Sequence, residues 1–250
     1  MEKYLTSKRT ILFKSLVGSH NYNLNDATSD VDFKVVIAPN FEDLYSGSMF
    51  SKQRVGNIFD IEVHDVRKLS SVWTKANINF IEILFSKDIV VNPTLNKNIR
   101  GLIDDLFAIK QDIAKMNLKY LYNSCIGMHT QKMKLLTKGT SGTMDLVEKF
   151  GYDTKQAQHA YRVLDFLERF YITDFLDFQG AIWYEKSDPT YKLLKDLKAG
   201  AYGINQFLEI AEAKLFTVQG KLSSVNLPEL DIKTHNNLLE IIKSIVKLNM

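Results

Sequence analysis

The chain has 250 residues, a net charge of +3 and a single cysteine, Cys125. That length allows one or two domains with a sizeable core, and one cysteine excludes an internal disulfide and fits a reducing compartment. No apolar run approaches a membrane span, the first residues are too sparsely apolar for a secretory signal, and the mild positive excess does not by itself argue for nucleic acid. The composition predicts a soluble, cytoplasmic protein with no membrane contact.

In chain order, β-branched and aromatic runs alternate with polar turns over the first hundred residues. Strands are expected at residues 11–17, 31–38 and 58–64, helical pattern at 66–75 and 80–86, and a short strand at 89–91 before Pro93. Beyond residue 100, Leu, Ile and Phe recur three and four apart, which predicts helices. Turns are expected at Gly139–Gly142, Gly151, Gly180, Pro189 and Gly200–Gly203. A mixed segment followed by a helical one predicts an α+β fold in two parts, a catalytic domain over residues 1–100 and a helical domain over 101–250.

The most informative stretch runs from Gly18 to Phe33. An apolar run ends in Gly18-Ser19, a polar loop follows, and Asp30-Val31-Asp32 opens the next apolar run. Two acids at i and i+2 of a strand share a face, because side chains alternate with a period of two. Carboxylates held so close repel unless a cation lies between them. An all-oxygen site suits Mg²⁺, which commonly takes one or two carboxylates and fills its shell with water and substrate phosphate. The Gly-Ser pair can offer N–H groups and a hydroxyl to phosphate. These parts predict a site for a metal-bound nucleoside triphosphate.

A second acidic stretch, Asp60-Ile61-Glu62-Val63-His64, alternates polar with aliphatic residues. As a strand it shows all three polar groups on one face, and one of its acids could complete a carboxylate trio able to hold two metal ions. The alternative is a solvated edge strand. Farther on, Lys155, His159 and Arg162 fall within about 60° of one another on a helix, with Phe166 and Arg169 on the same side. Ala160, Leu164, Leu167 and Tyr171 fall opposite, so one face is expected for the core and a cationic one for phosphate or solvent.

Other residues read as structural. His20 and His129 lack a second ligand at zinc spacing, Cys125 suits a small core position, and no base is identifiable to make Ser19 a hydrolytic nucleophile. Asn79 and Glu82 suit a helix start, and the aromatics Tyr120, Tyr122, Tyr161, Phe166, Phe170 and Tyr171 fall at helical core spacing.

Gly18-Ser19, a gap of about ten residues and Asp30-x-Asp32 resemble the signature of DNA-polymerase-β-like nucleotidyltransferases. Within that superfamily the chain resembles the RNA-repair-associated, RNA-ligase-linked subfamily. Tyr22 with Ser29 to Asp32, Asp60 to Lys68, Asn79 to Ser86 and Gly151 to Arg162 carry the resemblance, roughly over residues 10–165, and a looser similarity continues through Leu197 to Gly200. The family usually has Tyr-Gly where this chain has Tyr22-Asn23, which puts the shape of that loop in question. The resemblance implies an α+β nucleotidyltransferase domain followed by a helical domain with the active cleft between them. It implies transfer of a nucleoside monophosphate from an NTP, such as ATP, to an acceptor hydroxyl with release of pyrophosphate. Asp30 and Asp32 would bind Mg²⁺ or Mn²⁺, with Asp60 as third acid and Glu62 the runner-up, because the family's aspartate stands seven positions before its Arg-Lys pair. Gly18 and Ser19, with Lys155, His159 and Arg162, would bind the nucleotide. An RNA end is the implied acceptor. A protein-modifying, AMP-transferring enzyme and a non-catalytic nucleotide-binding scaffold are the alternatives.

Overall fold

The computed structural model describes residues 9–27, 29–56 and 59–250. Thr28 and Ile58, both within the stretches read above, lie outside the described residues. The described strands are β1 Ile11–Val17, β2 Val31–Ile37, β3 Ser51–Arg54, β4 Phe59–Asp65 and β5 Ile89–Val91. The helices of the first half are α1 Phe41–Tyr45, α2 Val66–Thr74, α3 Ile78–Ile81, α4 Lys97–Ala108 and α5 Lys110–Lys115. They are followed by α6 Leu118–Leu135, α7 Met144–Phe150, α8 Thr154–Ile172 and α9 Phe178–Ile182. The last three are α10 Pro189–Lys198, α11 Ile204–Leu222 and α12 Ile232–Leu248. The fold is α+β, as the pattern of runs predicts.

These elements form two compact units. The first holds the described residues up to Leu118 together with Glu229–Met250, and the second holds Lys119–Pro228. The division therefore does not fall where the composition changes near residue 100. That position lies inside α4, and α4, α5 and α12 belong to the first unit because their apolar faces are buried there. Ile99, Ile103 and Leu106 of α4 and Leu238, Ile241, Ile242 and Ile245 of α12 are all buried, with α12 packed on α2 and α4. Hydrogen bonds tie the returning helix down: the Asp231 N–H donates to Met116 O at 2.8 Å, and the Asn249 side-chain Nδ2 donates to Pro39 O at 3.1 Å.

The sheet of the first unit has the order β3-β4-β2-β1-β5. β2 and β4 are parallel and the other pairs antiparallel, so the sheet is mixed. The parallel pair needs a crossover, and its described part, residues 38–56, runs through α1 and β3, two short elements that periodicity does not reveal. Asn40 opens α1 with a capping box, its Oδ1 accepting the Asp43 N–H while Asp43 accepts the Asn40 N–H, each at 3.0 Å. One sheet face buries Val35, Ile37, Ile61 and Val63 with Ile11, Phe33 and Phe50 beside them. α2 begins where Asp65 accepts the Arg67 N–H at 2.9 Å, and it sinks Leu69 and Trp73 into the core. The buried Trp73 indole N–H is satisfied by Phe80 O at 2.9 Å.

In the second unit α8 is central, and this corrects the two-faced helix read from its sequence. Ala157 and Ala160 pack with Leu136, Tyr152, Leu197, Phe207 and Ala211. Phe166, expected on the cationic side, is fully buried, stacked on Phe170 and edge-on to Phe178. Arg169 is not presented for a ligand either. It bonds Asp188 at 2.6 Å, Trp183 O at 2.7 Å and Gly180 O at 3.0 Å, clamping the loop after α9. A helix with neighbours on every side cannot keep a solvent stripe along its whole length. Gly180, expected at a turn, lies within the short α9, whose N-cap Asp177 accepts its N–H at 2.8 Å.

Candidate functional site

The site in the first unit is built where β1 ends. Val17 pairs with Asp32 across β1 and β2, and the chain then enters a 3₁₀ turn, Gly18–His20. Gly18 has φ +70°, in the left-handed region that glycine occupies without steric cost. A Cβ there would also collide with Asp32 Oδ2. The Gly18 position is thus what lets the carboxylate lie over the turn. On the other side of β2, the parallel register sets Asp32 level with Asp60 of β4. Side chains level in a parallel pair project to the same face. Asp30 stands just before β2, exposed, two residues from Asp32. Asp60 is held by the Gly56 N–H, which donates to its Oδ1 at 3.0 Å.

The next row on this face is ionic. Lys34 is level with Glu62, and its Nζ donates to Glu62 Oε2 at 2.9 Å. His64 Nε2 lies 3.1 Å from the same oxygen, and the imidazole packs on Phe80, their rings 4.9 Å apart. The hydrogen bond from His64 and the charge of Lys34 outweigh burial and pull the Glu62 carboxyl down to about 2. Glu62 is therefore occupied in neutralising a lysine that is only 8 % exposed. Strand alternation puts Lys34 on the face of Asp32, so the lysine's place on this face could have been read from the sequence, though its partner depends on the strand register. Arg67 turns back on Asp65, with Nη2 to Oδ2 at 2.6 Å, and stabilises the start of α2.

The Gly-Ser turn is braced from below. Gly18 O accepts the N–H groups of Asn21 and Tyr22 at 2.9 and 3.2 Å, and Ser19 O accepts that of Leu24 at 2.9 Å. The Gly18 N–H points to Glu82 Oε2 at 3.4 Å, and Glu82 is only 3 % exposed. Glu82 is structural, as its sequence context suggested, but it supports this turn and not merely its own helix. The Ser19 hydroxyl has no hydrogen-bond partner among the described residues. Asn23 has φ 63°. After glycine, Asn is among the residues that enter the left-handed region most readily, so the Tyr22-Asn23 departure keeps a glycine-compatible backbone.

The side chains of Asp30, Asp32 and Asp60 carry anionic oxygens only. That chemistry fits Mg²⁺ or Mn²⁺, which need one or two carboxylates and complete their shells with water and phosphate. Among the described residues there is no group of three or more His, Cys, Asp or Glu side chains that could hold a metal ion.

In the second unit, Lys155, His159 and Arg162 do lie along one side of α8. Lys155 is exposed, His159 half-buried and Arg162 buried at 6 % exposure. Asp153 caps the helix, accepting the Gln156 N–H at 2.9 Å through Oδ1 and the Thr143 hydroxyl through Oδ2. Burial, then the charges of Arg162, Lys132, Lys155 and Lys198, hold the His159 imidazolium well below its ordinary range. Cys125 is fully buried, which pushes its thiol up, and His129 is a core residue bonded through Nδ1 to Ala160 O at 3.0 Å. Both keep the structural roles expected of them. No helix among the described residues is long and apolar enough to cross a membrane.

Residues 2–164 match the family described as "RNA repair pathway DNA polymerase beta family". Among solved structures, the chain is similar to a nucleotidyltransferase-like protein from Exiguobacterium sibiricum at 12 % identity and a TM-score of 0.29. That alignment covers 99 % of this chain and 72 % of the other. No curated protein matches the chain.

Proposed function

Because the chain belongs to the RNA repair pathway DNA polymerase beta family, we propose that it transfers a nucleoside monophosphate from an NTP to an acceptor hydroxyl on an RNA end. The observation that carries this reading is the parallel register that sets Asp32 beside Asp60 and against the Gly18 turn. Asp30, Asp32 and Asp60 would hold Mg²⁺ or Mn²⁺. When bound, the ion supplies positive charge to the triphosphate and lowers the pKa of the acceptor hydroxyl. The acceptor oxygen bonds to the α-phosphorus, the bond from that phosphorus to its β-bridging oxygen breaks, and pyrophosphate leaves.

The chain's own groups position these partners. Asp60, fixed by the Gly56 N–H, orients the acceptor and favours loss of its proton to solvent. Ser19 offers its hydroxyl to the β- or γ-phosphate from a turn braced by Glu82. Glu62 keeps Lys34 neutralised, so the lysine does not draw the neighbouring aspartates into ion pairs. In the helical unit, Lys155 and Arg162 bind phosphate, Arg162 through a bidentate fork.

Incubation with α-labelled NTP and Mg²⁺, with RNA of defined ends and separately with lysate protein, tests the reading. Label on RNA, lost in Asp32→Asn, supports it. Label on protein alone moves the assignment to a protein-modifying enzyme, and no label on either with every NTP and end overturns transfer.

A further inference from the structure

Two lysines beyond the Lys155–His159–Arg162 group converge on the N-terminal half of α8. The Asp153 N–H donates to Leu136 O at 2.7 Å, and His129 Nδ1 bonds Ala160 O at 3.0 Å. Residues 129–136 therefore run antiparallel to residues 153–160, which brings Lys132 level with the stretch from Lys155 to His159. On another side, Gln158 Nε2 donates to Leu194 O and the Thr154 hydroxyl to Lys198 O, each at 3.0 Å. α10 is thus antiparallel to α8 as well, and Lys198 arrives beside the first turn of α8.

Three helices in this way gather Lys132, Lys155, Arg162 and Lys198 around His159. Among the described residues neither Lys132 nor Lys155 has an ion-pair partner. The nearby acid, Asp153, is fully buried and spends both oxygens on the cap and Thr143. Like charges gathered this closely repel, and a multiply charged anion relieves that repulsion. Burial lowers the Lys132 ammonium, and the charges of Arg162 and Lys155 lower it further against the opposing charge of Asp153. Residues 155–162 span about 10 Å along the helix, a compact length suited to adjacent phosphates rather than to a long nucleic-acid backbone.

We propose that Lys132 and Lys198 join Lys155 and Arg162 in one anion site, contained within the helical unit, that takes a triphosphate group. The proposal rests on the phosphate-binding reading of α8 and extends it to residues on α6 and α10. The triphosphate can come from a free NTP or from the 5′ end of an RNA; both present the same chemistry.

Calorimetric titration of the full chain with inorganic tripolyphosphate in the presence of EDTA tests the site without transfer chemistry. Lys132→Gln and Lys198→Gln should each weaken binding about tenfold, as loss of one charge-assisted contact predicts. The arginine variants should retain most of it, and Lys186→Gln, an exposed lysine elsewhere in the unit, should leave it unchanged. An imidazole NMR titration should show the His159 pKa rising when tripolyphosphate is added to the wild type. ATP and 5′-triphosphorylated RNA, compared with 5′-hydroxyl RNA, then distinguish the two sources. If both glutamine variants bind as wild type while Arg162→Gln does not, the extension to α6 and α10 is overturned and the reading of α8 stands. If the wild type itself does not bind, both fall.

Discussion

At the scale of single residues, Gly18 has little freedom to change. Its φ of +70° costs a side-chain-bearing residue about 1–2 kcal/mol, and any Cβ would displace the Asp32 carboxylate. Gly18→Ala should therefore lower the melting temperature by about 2–8 °C and cut transfer by at least about tenfold. A melt and a transfer assay on the same sample check this, and unchanged transfer would mean that Asp32 needs no Gly18 turn. Glu62 and His159 contribute to the pH response. Glu62 is held at about 2, against an ordinary value of 4.5, so the stability it contributes is present above 4.5 and lost as pH falls toward 2. His159 is depressed, so the unfolded chain takes its proton first and stability declines as pH drops below about 6.5. His159→Asn should flatten the upper part of that decline, between about pH 6.5 and 5, in denaturant midpoints measured against pH.

At the scale of elements, the register of β2 and β4 separates the two candidate third acids. Asp60 is level with Asp32, whereas Glu62 is level with Lys34 and bonded to it. Asp60→Asn should lower the turnover rate by about a hundredfold or more with NTP affinity changed less than about threefold. Glu62→Gln should be milder in rate but should cost about 1–2 kcal/mol of stability. It leaves the buried Lys34 with a neutral partner, and the partial exposure of the Glu62 side chain reduces the loss. Steady-state kinetics beside urea midpoints decide between them, and a reversed order in rate would assign the third acid to Glu62. Along α8, Arg162 at 6 % exposure is not a solvent-facing charge, so Arg162→Ala will affect folding as well as binding, and Arg162→Gln is the more informative variant.

At the scale of the molecule, the first unit depends on the far end of the chain. Leu238, Ile241, Ile242 and Ile245 of α12 are buried there, at about 1.5–3 kcal/mol each as an upper bound. Their sum is comparable with the whole stability of a typical domain, about 5–15 kcal/mol. A chain ending at residue 228 should thus lose the cooperative unfolding of its sheet unit, and a fragment of residues 1–100 should not fold. Calorimetry of the full chain and the 1–228 chain checks this; equal sheet-unit transitions would show that α12 is an accessory.

The local chemistry of this protein was legible in its sequence. Strand alternation and the Asp30-x-Asp32 spacing located β1, β2, β4 and the acidic face, because a period of two is a backbone property that needs no partner. The Gly18-Ser19 turn was legible for the same reason, and so were α2 and the helices after residue 100. Tertiary structure decided what depends on neighbours. Which acid lies beside Asp32 is a matter of strand register, and Glu62 is claimed by Lys34 only once β2 and β4 pair. Phe166 and Arg169 left the cationic side of α8 because α9, α10 and the loop after α9 pack where periodicity alone expected solvent. The return of α12 to the first unit was equally invisible, since an amphipathic helix states that one face must be buried but not against what. The same holds for Lys132 and Lys198: each is an ordinary helix-surface lysine until antiparallel packing on α8 brings their charges together.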